Sequence, residues 1–333
     1  MASGDAKPAY LPEETIKSLR VAKVFRDNTD QINGMDFSPH GDVFVTSSAD
    51  ESLTVYDVDK PGVKATVNSK KYGVEHVTFT RNNNLVIHGS TKVDNTIRLL
   101  SLKDNKYLRY FPGHTEPVVT LGTHPNEDQF LSSSMDGTVK LWDCGTSAAW
   151  GNIPVGAGRP VAAYDPEGLI VAIGVGSEEI RLHDIRKIGA QPFSTLKTRM
   201  NNSPPWASLK FSPTGTQILI ATTGNTCYAV DAFMGNVIWT FSGYNNVLNN
   251  KTYTIQPCFS PDGKYVFHGS TDSRIHVYNT DSGNKVCTLK SDHTGAIQYT
   301  KFNPRYCMFA SSCSMTCFWI STIPAGTPAP RLN

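Results

Sequence analysis

Residues 113–143 read GHTEPVVTLGTHPNEDQFLSSSMDGTVKLWD. Gly113-His114 opens this stretch, and Phe130-Leu131-Ser132 forms its middle. Asp136-Gly137-Thr138 then leads into Leu141-Trp142-Asp143. Short β-rich runs are separated by two turn signals, Thr123-His124-Pro125 and Asp136-Gly137. Such punctuation predicts three strands joined by hairpins.

Seven versions of this phrase run from residue 30 to the end. The turn after each first strand sets the register. It reads Phe37-Ser38-Pro39-His40-Gly41, Phe79-Thr80-Arg81, Thr123-His124-Pro125 and Tyr164-Asp165-Pro166-Glu167-Gly168. It continues as Phe211-Ser212-Pro213-Thr214-Gly215, Phe259-Ser260-Pro261-Asp262-Gly263 and Phe302-Asn303-Pro304, at spacings of 42, 44, 41, 47, 48 and 43 residues. Proline presets φ at the corner and glycine takes the positive φ that follows. A period of about 40–45 residues closing near Trp-Asp is the signature of WD repeats. The predicted fold is all-β, a seven-bladed WD-repeat β-propeller.

The seventh copy ends after three strands, at Phe318-Trp319-Ile320, while Leu19–Phe25 precedes the first copy. The ring is therefore expected to close by an N-terminal strand in the last blade, because closure removes exposed sheet edges. The expected organisation is a flexible N-terminal tail over 1–17, the propeller over 18–321 and a Pro/Ala-rich C-terminal tail over 322–333. The longest insertions are 197–206 and 243–256.

Composition sets the class. Of 333 residues, 39% are hydrophobic and 18% charged, enough apolar content for a sizeable core. A formal net charge of +2 argues against direct sequence-specific nucleic-acid binding over the whole surface. No apolar run reaches the ~18 residues of a membrane span. Pro8, Pro12, Glu13 and Glu14 interrupt the first seventeen residues, which reads against a secretory signal. The seven cysteines form no Cys-x-x-Cys and are expected to be free thiols. Cys307, Cys313 and Cys317, with His293 upstream, miss the spacings of a zinc site.

In the third repeat His114 can reach Asp136, with Ser132 and Trp142 completing a buried chain. That set is expected to be a structural tetrad, since a buried polar group left unpaired costs ~1–3 kcal/mol. Only the third repeat has all four residues. Tyr56 and Tyr278 stand at the Trp position in the first and sixth, with Asp50 and Asp272 in the turns. Leu100, His183 and Val230 stand there in the second, fourth and fifth. No Gly-x-Ser-x-Gly elbow or phosphate loop is present, and Gly174-Val175-Gly176 lacks the third glycine of a dinucleotide fingerprint. No catalytic, cofactor-binding or metal-ligating residue is assigned.

Loops between blades share one rim with the turns that follow the second strands. The repeat register places Lys70, Lys71, Tyr72, Lys92, Arg159, Arg199, Trp206 and Tyr244 near it. A basic and aromatic selection suits an acidic or phosphorylated extended peptide. The plainer reading is a solvated rim.

Several phrases are more specific than the repeat. Arg20-Val21-Ala22-Lys23-Val24-Phe25-Arg26 opens the fold, and Ser69-Lys70-Lys71-Tyr72-Gly73-Val74 ends the first blade. Asp104-Asn105-Lys106-Tyr107-Leu108-Arg109-Tyr110-Phe111-Pro112-Gly113-His114, Asp165-Pro166-Glu167-Gly168-Leu169 and Asp231-Ala232-Phe233-Met234-Gly235 follow. Over residues 18–321 the chain resembles the WD repeat-containing protein 82 family. The resemblance implies a nuclear, non-catalytic scaffold without cofactor. It implies a subunit of a COMPASS-type histone lysine methyltransferase that docks the N-terminal region of the catalytic subunit. It also implies partners among phosphatase-targeting or transcription-termination factors, or the cleavage and polyadenylation machinery. Recognition of the serine-phosphorylated tail of RNA polymerase II is attributed to the same family. The competing reading is a substrate receptor of a cullin-type ubiquitin ligase. Its Trp-Asp-x-Arg feature is half present in Trp142-Asp143-Cys144-Gly145 and in His183-Asp184-Ile185-Arg186.

Overall fold

Each repeat satisfies its backbone hydrogen bonds within one small antiparallel sheet. A computed structural model describes residues 11–198, 200, 203–248 and 251–323. It holds seven four-stranded sheets. The first blade runs Ile32–Phe37, Val43–Ser48, Ser52–Asp57 and Gly62–Asn68, from the axis outward. Blades two to six repeat that order, beginning at Glu75, Val118, Val161, Trp206 and Cys258. The corners form as their residues dictate. Gly41 and Gly263 both lie at φ 73°, and their amides return to the Ser38 and Ser260 carbonyls at 2.8 and 2.9 Å. A side chain at either glycine would be strained there.

Burial follows position in the blade. Val43–Ser48 and Met308–Ser312 are buried along their whole length, because neighbouring blades cover both faces. The outermost strands alternate, as Lys106–Phe111 does, since only one of their faces is covered. The core is therefore a ring of inter-blade layers.

Closure is the expected one. Blade seven is Tyr299–Phe302, Met308–Ser312, Thr316–Ser321 and, outermost, Leu19–Phe25. Leu19 pairs with Ser321 and Phe25 with Thr316, with a bulge between Val21 and Lys23. Phe25 then turns inward, 4.7 Å from the Tyr56 ring and 5.1 Å from Phe318. The two ends of the chain thus share one aromatic layer with blade one.

The N-terminal tail differs from expectation. Residues 1–10 lie outside the described residues, but Glu13–Ser18 is a helix rather than part of a flexible segment. Pro12 stands at its N-cap position without a side-chain hydrogen bond, and Glu13 and Glu14 in the first turn with Lys17 in the last have the favourable sense for the helix dipole. Leu11 and Ile16 are fully buried against Leu289, Ile275 and Trp319. Ser18 Oγ meets Ser321 Oγ at 2.6 Å, and the Thr322 amide donates to the Ser18 carbonyl at 3.2 Å. A helix of six residues is too short for apolar periodicity to reveal. Of the C-terminal tail, only Thr322 and Ile323 are described. In the second insertion Val247–Leu248 pairs with Lys251–Thr252 as a small hairpin.

Candidate functional site

The four residues singled out in blade three form one directional chain. Trp142 Nε1 donates to Ser132 Oγ at 2.8 Å. Ser132 lies 2.7 Å from His114 Nε2, and His114 Nδ1 lies 2.8 Å from Asp136 Oδ2. With Trp142 donating, Ser132 passes its proton toward His114, whose Nδ1–H then points at the carboxylate. Burial holds the His114 pKa below the usual imidazole value, with Asp136 opposing it. Burial also works to raise Asp136, but hydrogen bonds from Thr138 and His114 outweigh it and leave that group low. Ser132 is fully buried with its proton and a lone pair already committed. No substrate carbonyl can reach it, so this Ser-His-Asp set fastens loop to strands.

A near-copy in blade seven escaped the repeat reading. Trp319 Nε1 donates to Ser311 Oγ at 2.8 Å, and Ser311 meets His293 Nε2 at 2.7 Å. The turn between the strands is two residues shorter here. Ser311 pairs with Cys317 six residues on, whereas in blade three Ser132 pairs with Lys140, eight residues on. The shortening removes the aspartate, and Cys313 Sγ takes its place 3.1 Å from His293 Nδ1. Among the described residues no group of three or more His, Cys, Asp or Glu is placed to hold a metal ion.

The rim candidates separate into distinct places. Lys70, Lys71, Tyr72 and Lys92 gather where blade one passes into blade two. Lys70 and Lys71 are exposed, and among the described residues neither makes an ion pair. Lys92 is exposed but paired with Glu51. Arg199 lies outside the described residues. Trp206 is only 2% exposed and packs between blades four and five, where a Cβ on Gly174 would stand 2.6 Å from its ring. Tyr244 is 4% exposed and stacks on His268 at 3.7 Å between ring centroids. Both rings are core, because a large aromatic gains more by burial than a loop does by displaying it. Arg159 is half-buried and turns toward the ring axis, donating to the Ala207 carbonyl at 3.3 Å. Its charge partly offsets the desolvation that pushes Glu75 up to about 7.

Arg98, Tyr107 and Tyr110 also belong with the blade-two group. Arg98 is buried under Tyr72, its guanidinium carbon 3.7 Å from that ring's centroid and 5.5 Å from Tyr110's. Asp94 holds the guanidinium in two bonds of 2.9 and 2.8 Å, and Ser90 takes a third. Tyr107 meets Tyr72 edge-on at 5.6 Å and bonds to Ser69 Oγ at 2.6 Å. Lys71 Nζ lies 5.0 Å over Tyr72, and its hydrogen bond holds that phenol below its usual range. Arg98 is spent on Asp94 and orients the rings; Lys70 and Lys71 carry the available charge. Around them stand exposed Leu108, Tyr110 and Val93, the last at φ 71°, a strained conformation for a β-branched residue.

Two of these were hidden from sequence for one reason. Tyr107 and Tyr110 are three apart, so strand alternation would put them on opposite faces. A bulge brings Leu99 opposite Arg109 but Leu100 opposite Tyr107, which shifts the phase and unites the two rings. The Arg186 that raised the ligase-receptor reading is gripped by Asp184 in two bonds of 2.9 and 2.8 Å.

Comparison with known proteins agrees with this architecture. The family WD domain, G-beta repeat, matches residues 19–57, 105–143 and 235–279. The chain is 50% identical over 316 residues to "WD repeat-containing protein 82" of Drosophila melanogaster, covering 95% of this chain and 98% of that protein. It is 31% identical over 323 residues to "COMPASS component SWD2" of Saccharomyces cerevisiae, covering 94% and 97%. It is 32% identical over 270 residues to "Set1 complex component swd2" of Schizosaccharomyces pombe, covering 79% and 74%. Identity of 50% over 95% of the chain, in a protein folded as a seven-bladed ring, assigns it to the WD repeat-containing protein 82 family.

Proposed function

We propose that this chain is a non-catalytic interaction scaffold in a nuclear COMPASS-type histone lysine methyltransferase complex. One observation carries the reading: similarity over most of the chain to two yeast proteins whose names place them in the COMPASS and Set1 complexes. In this reading the propeller docks the N-terminal region of the methyltransferase catalytic subunit. It also joins phosphatase-targeting or termination factors acting with RNA polymerase II. A closed ring suits that work, because rigid blades hold many loops in fixed positions without paying their ordering entropy anew.

The blade-two rim is the proposed contact for the phosphorylated polymerase tail. Lys70 and Lys71 offer unpaired charge, and Tyr72 and Tyr110 offer ring faces held by Arg98. An extended phosphopeptide needs that combination: ammonium groups for its phosphates and rings for its apolar residues. Lys71→Glu is expected to weaken a serine-phosphorylated polymerase-tail peptide by roughly tenfold or more, as loss of a charge-assisted contact does. The unphosphorylated peptide should change little. Titrations at fixed salt decide it. Equal affinity for wild type and variant would remove the rim from the account.

A further inference from the structure

The innermost strands surround an axial channel, and three of them place charge at one level of it. Asp36, Lys210 and Lys301 are each the last residue but one of their strands, in blades one, five and seven. All three line a chamber of about 110 Å³ near the Ser-Pro-x-Gly turns, with Thr120, Gln256 and Thr300.

Asp36 is already neutralised. Its Oδ1 meets Lys301 Nζ at 2.9 Å, and its Oδ2 accepts from Thr78 Oγ1 at 2.8 Å and the Phe79 amide at 3.0 Å. Lys210 has no such counter-charge. Its Nζ donates to the Pro257 carbonyl at 2.8 Å, and among the described residues it makes no ion pair. One carbonyl satisfies one of three ammonium protons. Loss of bulk water is the main cause holding Lys210 down to about 8, with the Lys301 charge adding to it. Two lysines against one aspartate leave the level one positive charge in excess. Lys210 is part-exposed to the channel, and methionine would keep its bulk there without the charge.

Size and access narrow the occupant. A chamber of this size accommodates a small oxyanion. Arg159 reaches over the other mouth, bonded to Ala207 of blade five and felt electrostatically by Glu75 and His76 of blade two and Tyr299 of blade seven.

We propose that this chamber is an oxyanion site, where a single phosphate or carboxylate group is held by Lys210 and Lys301. It is independent of the blade-two rim. The probe is inorganic phosphate, titrated against chloride at equal ionic strength and read by phosphorus NMR line broadening and by the melting midpoint. Wild type and Lys187→Glu, which changes an exposed charge on blade four outside both sites, should respond alike. Lys210→Met should lose about tenfold or more in phosphate affinity, while melting no lower than wild type in chloride. N-acetyl-phosphoserine amide forms the second arm. Tighter binding of that compound than of phosphate marks a partner's side chain as the occupant; the reverse order marks the free ion. Absence of binding by either probe to wild type overturns the site, as does equal binding by wild type and Lys210→Met. Should Lys210→Met fail to fold, the wild-type titration still decides, with Lys210→Gln as the variant.

Discussion

Deletion of residues 19–25 is expected to leave the protein insoluble. Every other blade draws its four strands from one continuous stretch, whereas blade seven joins both ends of the chain. Without Leu19–Phe25 the strand Thr316–Ser321 becomes an open edge containing Cys317, Phe318 and Trp319, an invitation to pair with another chain. The aromatic layer would also lose Phe25 from between Tyr56 and Phe318. Phe25→Ala separates the two effects. It keeps the edge covered and should cost ~3–5 kcal/mol, the usual penalty for truncating a buried phenylalanine. Soluble fraction after lysis and cooperativity of denaturant unfolding measure both. A soluble deletion variant that unfolds in one cooperative step would contradict the seam.

Trp142→Ala is expected to destabilise by ~3–5 kcal/mol through lost apolar burial and the cavity left behind. Trp142 is fully buried, stacked on Phe130 at 6.0 Å and 12° and set edge-on to Phe111 at 5.8 Å. Loss of its N–H also leaves Ser132 one donor short. Trp142→Phe keeps most of the packing and should cost only ~1–2 kcal/mol, near the net value of one hydrogen bond. Trp319→Ala should match Trp142→Ala, since Trp319 is stacked on Phe309 at 5.1 Å and 13° and donates to Ser311 in the same way. Denaturant midpoints compare the four proteins. A Trp142→Ala midpoint equal to wild type would mean that the chain in blade three fastens nothing.

The ring and its seam are legible in the sequence because their signals are local and repeated. Ser-Pro-x-Gly corners recur at regular spacing, and a strand left over at one end matches one missing at the other. The tetrad was equally legible, because His114, Ser132, Asp136 and Trp142 keep the repeat's standard offsets. Its blade-seven relative was not, since a turn shortened by two residues moved Cys313 into the aspartate's place. Counting along the rim put Lys70, Lys71, Tyr72 and Lys92 on short loops at the surface, where they lie; their binding of a partner is a proposal. It misplaced Trp206 and Tyr244, where insertions let a ring fold into the core. It also missed Tyr107 and Tyr110, whose shared face depends on a bulge that no residue type announces.

Recovery of the tagged, full-length chain from nuclei, with its co-purifying proteins quantified, tests the scaffold most directly. The account predicts a histone lysine methyltransferase catalytic subunit among the leading partners, joined by phosphatase-targeting or termination factors. Recovery of a cullin adaptor in their place, with no methyltransferase subunit above background, would contradict it.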